Sequence, residues 1–251
     1  NQLLKRWPKG TVATGSWLRN HGISRQLAWR YAGSGWIQPL DCGAFLRADE
    51  TVDWFGAVYA LQTQLGLSVH AGGSTALSLK GLGYHIPMGD DAVVTLLSEG
   101  KERLPAWFTR REWGVRIQHH SLRIFESSDP AGFTQVQHGA FSLRTSAPER
   151  AILEVLHFVT SNDAILHALQ LMSGLNTLRP QVLQNLLERC RSVKVKRLFL
   201  WAAESAEHVW FKHIEVQRLD LGKGKRSVFR GGRFDTKYRI TVPRREEAAH
   251  V

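Results

Sequence analysis

A chain of 251 residues with 43% apolar and 22% charged side chains has the composition of a folded protein and length for one large core or two smaller ones, which excludes a disordered chain. Its formal charge of +11 asks for an anionic partner, nucleic acid foremost, without separating DNA from RNA. No apolar run approaches the ~18 to 20 residues of a bilayer span and the start NQLLKRWPKG lacks a signal-peptide core, so a cytoplasmic protein with no membrane partner is expected.

In chain order, NQLLKRWP predicts a short amphipathic helix with Leu3, Leu4 and Trp7 on one side, closed by Pro8 and Gly10. A second helix is capped by Thr14 or Ser16 in TGSWLRNHG and ends at Gly22, where a positive φ is cheap. Ser24 caps a third, SRQLAWRYAGSG, with Leu27, Ala28 and Tyr31 on one face and Arg25, Gln26, Trp29 and Arg30 on the other. Two strands, WIQPL and AFLR, then flank the turn Asp41-Cys42-Gly43 as a wing. Residues 1–50 therefore read as a winged helix-turn-helix.

Residues 51–251 read as a larger mixed α/β domain, giving an α+β chain of two domains. DWFGAVYALQTQLG has helical spacing, SVHAGG leads into a helix STALSLKGLG, and AVVTLL suits a buried strand. VRIQHH, SLRIF, FTQVQH and AFSLRT alternate as further strands. In SAPERAILEVLHFV, Ser146 and Glu149 have the spacing of a capping box, with Pro148 in the first turn. Helices follow through NDAILHALQLM, RPQVLQNLLERC and VKVKRLFLWAAESA. The end is expected to form a basic hairpin from KRSVFRG to KYRITVP, turned by Gly231 and Gly232.

The positive charge sits at the two ends. Residues 1–50 hold seven basic and three acidic side chains, residues 211–251 eleven and five, and the middle is nearly neutral. Two separate anionic contacts fit this, as does a charge serving solubility. On the third helix, Arg25, Gln26 and Arg30 are placed to read base edges in a major groove, where Arg suits guanine and Gln adenine. Trp29 either joins them on a thymine methyl or packs on the wing. Arg19, Lys5, Arg6 and Lys9 suit phosphates, with a solvated helix face equally open for Lys5 and Arg6. In DLGKGKRSVFRGG, the residues Lys223, Lys225, Arg226, Arg230 and Arg233 form either a phosphate-binding surface, for RNA, DNA or a nucleotide, or a plain basic turn; the glycine spacing is not that of a Walker loop.

No catalytic constellation emerges. The adjacent His119 and His120 would point to opposite strand faces, Ser74 lacks the GxSxG context, and Glu149-Arg150 fits a cap and ion pair better than an active site. Cys42 and Cys190 have no partner spacing, so no metal, disulfide framework or cofactor is expected.

Trp36-Ile37 after Gly35, the wing end Gly43-Ala44-Phe45-Leu46, GGSTALSLKGLG, SAPERAILEVL and DLGKGKRSVFRGGRFDTKYRITVP together resemble AbiEi-type antitoxins of type IV toxin–antitoxin systems. The resemblance implies a non-enzymatic autorepressor that binds inverted repeats of double-stranded DNA in its own promoter. It also implies a C-terminal domain that counteracts a nucleotidyltransferase toxin without a stable complex. Wings of that family commonly carry basic residues, whereas the turn here is Pro39-Leu40-Asp41-Cys42-Gly43, so phosphate contact at the wing tip is not expected. Two alternatives stand beside this one: a nucleic-acid or nucleotide-modifying enzyme with a site around Lys223, Arg226 and Asp235, and a winged-helix regulator with a ligand-binding domain and no toxin.

Overall fold

The computed structural model describes residues 2–83, 92–126, 130–228 and 231–243. The chain is an α+β protein in which a winged helix-turn-helix precedes a larger mixed region. It forms two compact units, one of Asn1–Ala71, Pro87–Leu122 and Gln135–Thr145, the other of Gly72–Ile86, Arg123–Thr134 and Ser146–Val251.

The first unit begins with α1 (Gln2–Arg6), β1 (Ala13–Thr14), α2 (Gly15–Asn20), α3 (Arg25–Gly33), β2 (Ile37–Asp41) and β3 (Ala44–Arg47). The strands form an antiparallel sheet of order β1-β3-β2. Two residues are too few to show alternation, which is why β1 gave no signal in the sequence. Thr14, not Ser16, caps α2, its hydroxyl accepting the Trp17 N–H at 3.2 Å. Gly22 (φ +79°) turns the chain, and Ser24 caps α3 by accepting the Leu27 N–H at 3.2 Å. Leu3, Trp7, Leu18, Ile23, Ala28, Ile37 and Phe45 bury together beneath these elements.

Next comes α4 (Trp54–Thr63), capped by Asp53. A Cβ on Gly56 would fall 1.8 Å from the Gly10 carbonyl oxygen, so only glycine permits this approach. At the end of the helix, Gln64 accepts the Thr14 N–H at 2.8 Å and donates to Val12 O at 2.7 Å. Gln62 likewise donates to Val69 O and Arg144 O and accepts the Arg144 N–H.

Strands β4 (His70–Ala71), β5 (Val93–Ser98), β6 (Arg116–Ser121), β7 (Phe133–His138) and β8 (Phe141–Ser146) form a sheet of order β6-β5-β4-β8-β7. It is mixed: β5 runs parallel to β6, and β4 is antiparallel to β5 but parallel to β8. The expected strand SLRIF does not form. Only Ser121 belongs to β6, and Ile124 and Glu126 exchange backbone hydrogen bonds with Arg191 and Arg189 instead. The short α6 (Ala106–Thr109), with Trp107 and Phe108 buried, was not anticipated because one turn shows no periodicity.

Helices α5 (Gly73–Leu79), α7 (Pro148–Phe158), α8 (Asn162–Ser173), α9 (Pro180–Arg189) and α10 (Val193–Ser205) share the main core of the second unit. Pro148 sits in the first turn of α7, but the expected capping box is corrected: Ala147 is the N-cap and makes no side-chain bond. Ser146 is still the last residue of β8, and its hydroxyl donates to Glu154 at 2.8 Å. Fully buried Glu154 also accepts from Gly73 N at 2.9 Å and Arg150 Nε at 2.7 Å. The Arg150 guanidinium lies 4.2 Å from the Phe133 ring centroid and 4.7 Å from that of Phe125.

Glu149, the other half of the expected box, takes a bidentate grip from Arg179 at 2.9 Å, plus the Arg179 backbone N–H. Burial by itself would raise this carboxyl, but the Arg179 hydrogen bonds outweigh it and hold the group below its ordinary 4.5. A depressed carboxylate contributes stability that is present above the ordinary value and lost as pH falls through the folded one. Glu149→Gln is therefore expected to cost about 1–3 kcal/mol in urea melts at neutral pH. The deficit should shrink as pH drops below 4.5, because protonation then removes the same interaction from the parent protein.

Candidate nucleic-acid interface

Helix α3 buries Ala28, half-buries Leu27 and Tyr31, and exposes Arg25, Gln26, Trp29 and Arg30. The fixed Ser24 cap sets where the first turn begins, so these four side chains project from one continuous polar face. Trp29 is 53% exposed, with its ring edge-on to Phe45 at 5.9 Å. The two uses considered for it in the sequence are thus compatible: it rests on the wing strand and still presents an apolar surface outward.

Lys5, Arg6, Lys9 and Arg19 are exposed as well, and among the described residues no carboxylate pairs with them or with Arg25 and Arg30. Arg47 differs, since it donates to Trp7 O at 3.1 Å and pairs with Glu50 at 3.2 Å, which makes it a tie within the unit. A cleft of 360 Å³ lined by Arg19, Arg25, Trp29, Cys42, Gly43 and Phe45 separates α2 and α3 from the wing. The wing tip is tight: Asp41 Oδ1 accepts the Cys42 N–H, Gly43 has φ +77°, and Gly43 O accepts the Gly15 N–H at 2.7 Å. Trp36 was not singled out from the sequence as a contact. It is 51% exposed at the base of the wing and stacks on Tyr31 at 5.7 Å; its place just after Gly35 (φ +73°) was the available signal.

The second basic region is built on Arg197 of α10, which is 1% exposed. Its guanidinium donates to the carbonyls of Leu221, Gly222, Gly224 and Arg239 at 2.8–3.0 Å. Burial, then nearby Arg239 and Arg226, make its charge less favourable than usual. Held in this way, residues 221–226 display Lys223, Lys225 and Arg226 to solvent, with Gly222 (φ +63°) and Gly224 (φ +87°) making the bends.

The hairpin itself differs from expectation. It pairs β9 (Arg233–Asp235) with β10 (Ile240–Val242), turned by residues 236–239, not by Gly231 and Gly232. Asp235 Oδ1 accepts the Tyr238 N–H at 2.8 Å and so sets that turn, while Arg226 bridges Ile240 from the other side. Tyr238, Ile240 and Val242 are buried, whereas Arg233 is exposed. Arg230 lies outside the described residues. Among the described residues, no three His, Cys, Asp or Glu side chains gather as a metal site, and no helix is long and apolar enough to cross a membrane. Cys42 is exposed and Cys190 buried, both as free thiols.

Residues 1–88 match the family described as "Transcriptional regulator, AbiEi antitoxin N-terminal domain", and residues 91–243 the one described as "Transcriptional regulator, AbiEi antitoxin, Type IV TA system". The chain belongs to the AbiEi antitoxin family. The crystal structure of the RV2827C protein from Mycobacterium tuberculosis superposes with a TM-score of 0.65 at 13% identity, over 99% of this chain and 91% of that one, a likeness of fold alone. Comparison with curated proteins gave no match. AbiEi membership makes the chain one of a family of transcriptional regulators and antitoxins, with DNA and a toxin as functional counterparts.

Where an AbiEi antitoxin meets DNA, exposed cations outside α3, such as Lys9, are expected to act on phosphates alone. Lys9→Ala is expected to weaken operator and random duplexes by similar factors. It should also lower the slope of log affinity against log salt by about 0.9, as measured by anisotropy over a salt series.

Proposed function

We propose that the protein represses its own operon by binding inverted repeats in its promoter through residues 1–50. We further propose that residues 51–251 counteract a nucleotidyltransferase toxin without forming a stable complex with it. The observation that supports the DNA reading best is the α3 face itself. Arg25, Gln26 and Arg30 are exposed, with no acidic partner among the described residues, on a capped helix whose opposite face is packed. Such side chains have their donors available for base edges, while Trp29 supplies apolar contact and Lys5, Arg6, Lys9 and Arg19 fix the register on the backbone.

The test is an electrophoretic shift with the gene's own upstream region. Each good base contact is worth about 1–3 kcal/mol, so Arg25→Ala or Arg30→Ala should weaken the specific site by about 5- to 150-fold. Random DNA of equal length should lose only the small factor of one phosphate contact. Equal losses on both would make these residues backbone contacts.

The antitoxin reading rests on the second basic surface, where Lys223, Lys225, Arg226 and Arg233 have no use in the winged helix. Because Gln64 ties Val12 and Thr14 to α4, the two activities are best separated by variants of the full chain, not by cutting near residue 50. Reversing Lys223, Lys225, Arg226 and Arg233 to Glu is expected to abolish protection of cells from the cognate toxin. Operator affinity at fixed salt should change little. Intact protection together with a flattened salt dependence on operator DNA would make the surface a second DNA contact instead.

A further inference from the structure

The surface around the C-terminal hairpin carries several cations that have no counterion among the described residues. Lys223, Lys225, Arg226, Arg233 and Arg239 are all exposed, and none has an acidic partner among the described residues. Three acidic groups of this region are engaged: Asp220 accepts the Gly222 N–H, Asp235 the Tyr238 N–H, and Glu204 is paired with Lys237. Beneath them, Arg197 adds a further positive charge that, among the described residues, is met by four backbone carbonyls. Like charges held this close repel, and an anion seated among them would relieve the repulsion.

An aromatic ring stands in the same place. Phe234 of β9 is 39% exposed, and the Lys225 ammonium lies 5.3 Å from its ring centroid. Phosphates alone would use the cations and leave the exposed part of the ring, beyond its contact with Lys225, without a role. A nucleic-acid duplex keeps its base faces inside its own stack, where Phe234 cannot reach them. An unpaired strand presents both groups, a base face for the ring and phosphates for the surrounding cations, which is how single strands are commonly held. Unpaired, splayed bases are characteristic of RNA loops and ends.

We propose that the β9–β10 hairpin and the loop at residues 222–226 form a second nucleic-acid site, for single-stranded RNA. Phe234 stacks on a base, and Lys225, Arg226, Arg233 and Arg239 hold the phosphates on either side. The site does not depend on the identity of the toxin or on the winged helix.

The test uses the full chain and fluorescence anisotropy with a labelled oligouridine of about 12 nucleotides, within the usual span of such sites. Phe234→Ala is expected to weaken binding about tenfold or more, while Phe234→Tyr retains it. Arg226→Gln and Arg233→Gln should each lower the log–log salt slope by about 0.7, the single-strand value per phosphate. Phe234→Ala should bind the operator duplex as the parent does, which also certifies its fold; if it does not fold, Phe234→Leu keeps the apolar volume and removes the stacking face. Unchanged oligouridine affinity in a folded Phe234 variant would overturn the proposal, as would equal affinity for a duplex of the same length. Oligothymidine binding as tight as oligouridine would overturn the assignment to RNA.

Discussion

The structure depends on satisfying backbone hydrogen-bonding groups where its regular ladders run out. Strands β1 and β4 are two residues long, too short to pair all the N–H and C=O groups around them, and those groups are buried. Two glutamines near the end of α4 complete the pairing. The Gln64 amide meets Val12 and Thr14 as a peptide unit of a neighbouring strand would, and Gln62 does the same for Val69 and Arg144. One helix thereby fixes β1 of the winged helix on one side and the start of the mixed sheet on the other. The close approach this needs is what Gly56 allows.

The second unit solves the same problem with charge. Glu154 gathers a backbone N–H, a hydroxyl and a guanidinium, and Arg197 gathers four carbonyls where the loop after residue 220 has no regular partner. Buried ions of this kind are costly to expose to an imperfect partner set, so each fixes one arrangement of the chain around it. A consequence is that the cations divide by role. Arg47, Arg150, Arg179 and Arg197 are structural ties, whereas Arg25, Arg30, Lys223 and Arg226 face solvent. The net charge of +11 therefore overstates what is available at the surface in some places and understates its concentration in two others.

Much of this was legible from residue order. Apolar spacing located α3, α4 and α7 to α10, Ser24 marked the start of α3, and Pro148 marked the start of α7, because each is a local property of a few consecutive side chains. The errors have equally physical origins. SLRIF alternates like a strand, yet its Ile124 and the Glu126 that follows bond to Arg191 and Arg189, and a period of two reports a capacity to pair without naming a partner. Ser146 and Glu149 have capping-box spacing, but both side chains are drawn to stronger charged partners, Glu154 and Arg179. The Gly231-Gly232 pair suggested a turn that Asp235 makes elsewhere.

The sequence by itself determined the class of fold, the order of elements in the winged helix and the polar face of α3, since helix periodicity and capping act within one turn of the chain. Only the tertiary structure decided which cations are free and which are spent. Arg179 and Glu149 are thirty positions apart, and Arg197 reaches a carbonyl forty-two positions away. A long flexible side chain finds its partner through space, and no local pattern records that distance.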